Sequence, residues 1–209
     1  MARKSKKLQI RNTFYILTNG KETEKNYFDL IKSNKSIYDV KIEYHNLSSL
    51  QLVKYGLTIP NANQIWCVFD IDNTMEENIL IPTINLAKKN NINIAFSNKA
   101  FEVWLLSHYN KIQKSMDNND LILEMNKLLK KLNINKNYDK ANKELLKKYF
   151  IPNLKNAINN SKIIHQKFIA EHEKNNYFSD YIKNLNKMNL AIGNTKIKSK
   201  IPTLNVHGV

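Results

Sequence analysis

Short apolar runs separated by Asn- and Lys-rich stretches divide the first half of the chain. Four of them, Thr13–Thr18, Val40–His45, Ile65–Phe69 and Ile92–Ser97, are nearly continuous rather than alternating, as in strands buried on both faces of a parallel sheet. Between and after them, apolar residues recur at helical spacing over Glu24–Ser33, Ser48–Leu57, Ile79–Lys89 and Phe101–His108. Each strand is followed by a helix, and each link is long enough for a right-handed crossover. The pattern predicts an α/β fold with four parallel strands and helices on both sides.

From Met116 onward the periodicity becomes helical throughout. Leu121, Leu123, Met125, Leu128, Leu129 and Leu132 form one series, Leu145, Leu146, Tyr149 and Phe150 a second, and Ile158, Ile163, Ile164, Phe168 and Ile169 a third. The segment Ile112–Asn137 reads as two helices separated by Asn118-Asn119, and Pro152 stands where it can open the next helix. The expected organisation is an α/β core over 1–110, a basic helical extension over 111–195 and a C-terminal segment, 196–209, packing back on the core. No internal repeat is visible.

Composition narrows the class. With 209 residues, 42% hydrophobic and 24% charged, the chain has ordinary globular usage, which argues against a disordered protein. No apolar run approaches the ~20 residues of a membrane-spanning helix, and the apolar stretch after the basic N-terminus is too short for a signal peptide. A single cysteine, Cys67, leaves no internal disulfide and no multi-thiolate zinc site, which fits a cytoplasmic protein and a core thiol. The net charge of +15 is uneven: residues 111–209 hold 19 basic and 8 acidic residues and so carry +11 of it. That excess predicts attraction to polyanions, with Lys127, Lys130, Lys131, Lys143, Lys147 and Lys148 as candidate nucleic-acid contacts. A solvated lysine-rich face accounts for the same residues without a ligand.

Three acidic groups carry candidate chemistry. The apolar strand Trp66-Cys-Val-Phe ends in Asp70-Ile-Asp72, and the carboxyl ends of parallel strands face the crevice where open α/β sheets bind ligands. Two carboxylates there suit a hard divalent cation, although Asp72-Asn73 would also make an ordinary turn or cap. The loop after the first strand, Asn19-Gly20-Lys21-Glu22-Thr23-Glu24, reads as a tight turn at Gly20 with Thr23 as helix cap and Glu24 in the first turn. If the first and third strands are neighbours, Glu22 or Glu24 can reach the crevice of Asp70 and Asp72. Glu102, the only acid in an otherwise apolar helix, must find a cation, a donor or a metal, with Lys99 and the helix N-terminus as the plainer partners. His108, at that helix's end, reads as a C-terminal cap rather than a catalyst.

In order, these motifs resemble the RloB family: an acidic Gly-containing loop with Thr23-Glu24-x-Asn26-Tyr27-Phe28, a strand ending in Asp70-x-Asp72, Ser97-Asn98-x-x-Phe101-Glu102-x-Trp104-Leu105-Leu106-x-His108, and a closing Pro202-Thr203-Leu204-Asn205-Val206-His207. The similarity runs from about Thr13 to His207. It implies a Toprim-like, Rossmannoid sheet flanked by helices and a role in phage defence, including abortive infection, as a Mg²⁺-dependent (or Mn²⁺-dependent) nuclease acting on DNA or RNA. It further implies Asp70 and Asp72 as the metal pair, Glu24 and Glu102 as supporting acids, Ser97 as a neighbour, and an ATPase encoded nearby or further copies of the chain as partners. One position departs from the pattern. Asn19 stands where the family's first strand is followed by a glutamate, and an amide cannot transfer a proton. Glu22 is a candidate substitute, and a non-catalytic nucleic-acid-binding adaptor is the alternative function. Asp70-Ile-Asp72-Asn73-Thr74 also resembles the first motif of haloacid-dehalogenase-type phosphatases, but no acidic pair follows at the end of a later strand.

Overall fold

The computed structural model describes residues 12–32, 38–71, 77–98, 100–112, 116–172 and 205–207. It contains β1 (Asn12–Thr18), α1 (Thr23–Ile31), β2 (Tyr38–Tyr44), α2 (Ser49–Gly56), β3 (Gln64–Ile71), α3 (Glu77–Lys89), β4 (Asn93–Asn98) and α4 (Glu102–Ser107). All eight lie within two residues of the spans predicted from the apolar pattern. The strands are parallel and ordered β2-β1-β3-β4, with a short β5 (Asn205–His207) paired beside β4. The fold is therefore α/β, as expected. Chain order reverses between β1 and β3, which makes their carboxyl ends the switch point of the sheet, where two crossovers diverge and leave a crevice.

Strand alternation distributes the core. Phe14 and Ile16 of β1, Trp66 and Val68 of β3 and Ala95 of β4 pack on one face with α1, α4 and the helical half. Leu17, Cys67, Phe69, Ile94 and Phe96 pack on the other, under Leu52 and Val53 of α2 and Ala87 of α3. Because side chains alternate along a strand, Asp70 follows Trp66 and Val68 onto the first face, and Ser97 follows Ala95.

The helical half contains α5 (Asn118–Lys131), α6 (Lys143–Leu145), which continues as a π-helical turn over Leu146–Phe150 and a 3₁₀ turn over Ile151–Asn153, and α7 (Leu154–His172). The expected pair of helices around Asn118-Asn119 is not what forms. Those asparagines open α5, because the Asp117 carboxylate accepts the Asp120 backbone N–H at 2.8 Å and caps the helix there. Leu121, Met125, Leu128 and Leu129 make its buried stripe, whereas Leu123 falls off the stripe and is exposed. Pro152 lies in the 3₁₀ turn that leads into α7. Asn133, just after α5, has φ 58° and Asn91, between α3 and β4, φ 55°, left-handed positions at which asparagine is tolerated and bulkier residues are strained. Leu121, Leu145, Phe150, Leu154 and Ala157 share one core with the sheet face that carries Asp70.

Candidate functional site

The site begins at the end of β1. The Asn19 backbone N–H donates to the Val68 carbonyl at 3.3 Å, and the Gly20 N–H donates to the Thr18 hydroxyl at 3.0 Å. Gly20 has an ordinary negative φ, so its role is not the tight turn expected of it. Space is what it supplies: a Cβ there would lie 1.9 Å from Cδ and Oε2 of Glu24 and 2.1 Å from its Oε1. Thr23 is likewise not the cap. It is the first residue of α1, and its hydroxyl donates to the Lys140 carbonyl at 3.2 Å, which ties the segment between α5 and α6 to the start of α1. Glu24, in the first turn, is buried.

Glu102 opens α4 on the same face. Its side chain is 3% exposed, and both of its partners come from the α5–α6 segment: the Tyr138 hydroxyl donates to Oε1 at 3.1 Å and the Lys140 ammonium lies 3.0 Å from that oxygen. The segment is itself held, since the Tyr138 backbone N–H donates to Asn126 Oδ1 at 2.7 Å and the Ala141 N–H to Asp139 Oδ1 at 3.0 Å.

Electrostatics couple these groups. Burial pushes the Glu24 carboxyl from 4.5 up to about 7; its own backbone N–H opposes this, Glu102 adds to it, and Lys140 opposes it. Burial lowers the pKa of the Lys140 ammonium, but Glu102, then Asp70 and Glu24, outweigh it and hold the group above the usual lysine value. Burial and Glu102 drive the Tyr138 hydroxyl well above its usual range. Glu24, Glu102 and Asp70, from three separate elements, thus all act on one ammonium. Among the described residues no three His, Cys, Asp or Glu side chains stand close enough together to hold an ion. Asp72, Asn73 and Lys99 lie outside those residues.

The whole arrangement falls within residues 14–195, the span matched by the family model described as RloB-like protein. The chain belongs to this family. No curated protein and no solved structure matches it.

Within this RloB-like chain, the sequence candidates separate. Glu24, Glu102 and Asp70 lie on one face of the sheet, each within electrostatic reach of Lys140, and Ser97, buried, pairs with Asp70 across β3 and β4. Glu22 is exposed beside Lys21, at 4.0 Å, and does not join the other two glutamates. Lys127, Lys130, Lys131, Lys143, Lys147 and Lys148 are all exposed. Lys127 pairs with Glu124 at 2.8 Å, and Lys148 lies over the Tyr149 ring at 5.2 Å. Tyr138 and Lys140 were not singled out from the sequence, since an irregular Asn-rich segment has no periodicity to direct a side chain.

His108 does cap α4, but from inside the core. Nδ1–H donates to the carbonyls of Trp104 and Leu105 at 3.0 and 3.1 Å, and Nε2 accepts from the Tyr27 hydroxyl at 2.9 Å. Tyr27 is one turn after Glu24 on α1, so this bond fixes α1 against α4 and with them the two glutamates. Burial holds the imidazole at about 4 against an ordinary 6.5, so it is neutral. Its contribution to stability is complete above pH 6.5 and is lost as pH falls toward 4, on the order of 3 kcal/mol in full. Glu24 has the opposite sign, with a folded value above 4.5 that subtracts stability as pH rises through 7. The test is therefore a difference: the gap in urea unfolding free energy between wild type and His108→Gln should shrink by roughly 2 kcal/mol from pH 7 to pH 4.5. An equal gap at both values would mean that the ring is not buried in its neutral form.

Proposed function

We propose that this RloB-like protein is a metal-dependent nuclease of the Toprim type, cleaving phosphodiester bonds in DNA or RNA with Mg²⁺ or Mn²⁺ held by Glu24, Glu102, Asp70 and Asp72. The observation that carries this reading is the electrostatic coupling of two buried carboxylates, Glu24 of α1 and Glu102 of α4, near the switch point of a parallel sheet, with Asp70 of β3 within electrostatic reach of the same lysine. What the described residues offer a hard dication is two buried carboxylates, Glu24 and Glu102, with no third acid close enough to complete an ion site. Gly20 leaves the Glu24 carboxylate the room a Cβ would fill. Mg²⁺ needs only one or two protein carboxylates besides water and phosphate.

A bound dication would polarise the phosphate and lower the pKa of an attacking water. The chain's own residues do the rest. Glu24, poised near neutrality, can hold a proton or release it, and Tyr138 and Lys140 keep Glu102 in place. The exposed lysines of α5 and of the turns before α7 attract a nucleic-acid backbone, so binding should weaken steeply with salt and depend little on sequence. A role in phage defence, in the cytoplasm and beside a partner ATPase, is part of this reading.

Wild type should cleave single- or double-stranded DNA, or RNA, only when Mg²⁺ or Mn²⁺ is present, and Asp70→Ala should lose at least about 100-fold in rate, the several kcal/mol that metal-assisted catalysis supplies. The second reading, a non-catalytic adaptor, is favoured by Asn19 in place of the family's glutamate. Salt-sensitive, divalent-independent binding with no cleavage by wild type would establish it.

A further inference from the structure

β2 ends the sheet on the side away from β5, and among the described residues only β1 pairs with it. One bond shows which backbone groups its other edge presents. The His45 N–H donates to the Thr18 carbonyl of β1 at 2.9 Å, so the odd-numbered residues of β2 turn their backbone groups toward β1. Alternation then turns the N–H and C=O groups of Val40, Ile42 and Tyr44 outward. Such an edge is a template for another strand unless its side chains forbid it.

The side chains select the partner. Val40 and Ile42 lie against the core shared with α1 and α4, and the opposite face of β2 carries Asp39, Lys41 and Glu43, followed by His45. Asp39 and Lys41 are exposed, Glu43 and His45 half-buried. Bonds to β1 and α2 keep this row on its face: Lys41 Nζ donates to the Tyr15 hydroxyl at 3.0 Å, and Glu43 Oε2 accepts from the Tyr55 hydroxyl at 3.4 Å, with His45 Nε2 3.3 Å away. Charge alternates along the row, so the row complements its own reverse. In an antiparallel pair of copies with Ile42 opposite Ile42, the outward backbone groups meet in register and Val40 faces Tyr44. Lys41 of each copy then stands opposite Glu43 of the other, and Asp39 opposite His45. Centring the pair on Lys41 or on Glu43 instead would set like charges against each other.

We propose that β2 is a self-association edge: two copies of the chain pair through antiparallel β2 strands centred on Ile42, joining their sheets across a two-fold axis. The carboxyl edges of the two sheets open in opposite directions, so this pairing stands apart from the nuclease reading and does not depend on it.

Sedimentation velocity of the full-length chain tests it, at physiological ionic strength so that the net charge of +15 is screened. Wild type should pass from monomer to dimer as concentration rises through the micromolar range, and the amides of Val40, Ile42 and Tyr44 should exchange hydrogen more slowly as it does. Lys41→Glu and Glu43→Lys should each weaken dimerisation at least about tenfold, since each turns two attractive cross-strand pairs into two repulsive ones. The double variant Lys41→Glu/Glu43→Lys exchanges the signs and should recover the wild-type equilibrium. Because the single changes move net charge in opposite directions, a shared loss followed by rescue cannot come from overall charge. A wild type that stays monomeric, as it would if another segment of the chain or a different protein occupies this edge, overturns the inference. So does a dimer whose β2 amides exchange as freely as the monomer's, one indifferent to the single changes, or a double variant no better than they are.

Discussion

Gly20→Ala should cost this RloB-like protein at least about tenfold in Mn²⁺ affinity, the size of effect seen when a group supporting a metal site is lost, while the chain stays folded. The new methyl group would sit 1.9 Å from the Glu24 carboxylate, closer than non-bonded atoms approach. The backbone at Gly20 has no need of glycine, because its φ is not in the left-handed region. The clash is therefore relieved at the far end of the Glu24 side chain, which swings out of its pocket. Swinging out frees a carboxylate that burial had raised to about 7, so the cost in folding stability is small. Thermal melting and Mn²⁺ titration of the same preparation check this. A variant with full affinity for the ion would show that Glu24 takes no part in holding it.

Glu102→Ala should be the most damaging single change in stability at the site, lowering it by about 2–3 kcal/mol. Breaking a buried ion pair by removing one partner typically costs 3–5 kcal/mol, and the cost is reduced here because the Lys140 side chain is 56% exposed and can regain water. The half-buried Tyr138 hydroxyl, by contrast, would lose its acceptor. For a chain of this size the loss corresponds to a fall of roughly 5–10 °C in melting temperature. Glu102→Gln keeps the volume and an acceptor for Tyr138, so it should lose less than half as much. Equal losses in the two variants would mean that the side chain acts by packing alone. Both variants should weaken Mn²⁺ binding, which distinguishes the pair from a core residue such as Trp104, whose replacement would affect stability alone.

The apolar runs specified the four strands and four crossover helices because a fully buried strand and an amphipathic helix leave different periods in the chain. They also placed Asp70 at the carboxyl end of a strand, Glu24 in the first turn of α1 and Glu102 in the first turn of α4. Local chemistry misled at three points. Thr23 looked like a cap but donates to Lys140, Gly20 looked like a turn residue but makes room for a carboxylate, and Asn118-Asn119 looked like a break but opens α5. In each case a contact from a neighbouring element, or a cap one residue earlier, outweighed the local preference.

By itself the sequence determined the class of fold, the order of its elements, the excess of positive charge in the second half and the family. Which acids share a face was decided by tertiary structure, because it depends on strand order and register: Asp70 reaches the side of α1 and α4 since Trp66 and Val68 point there and β1 lies beside β3. The partners of Glu102 were decided there too. Tyr138 and Lys140 lie 36 and 38 residues away in an irregular segment, where no repeating pattern constrains a side chain, and only the packing of α5 against α4 brings that segment over the carboxyl edge of the sheet.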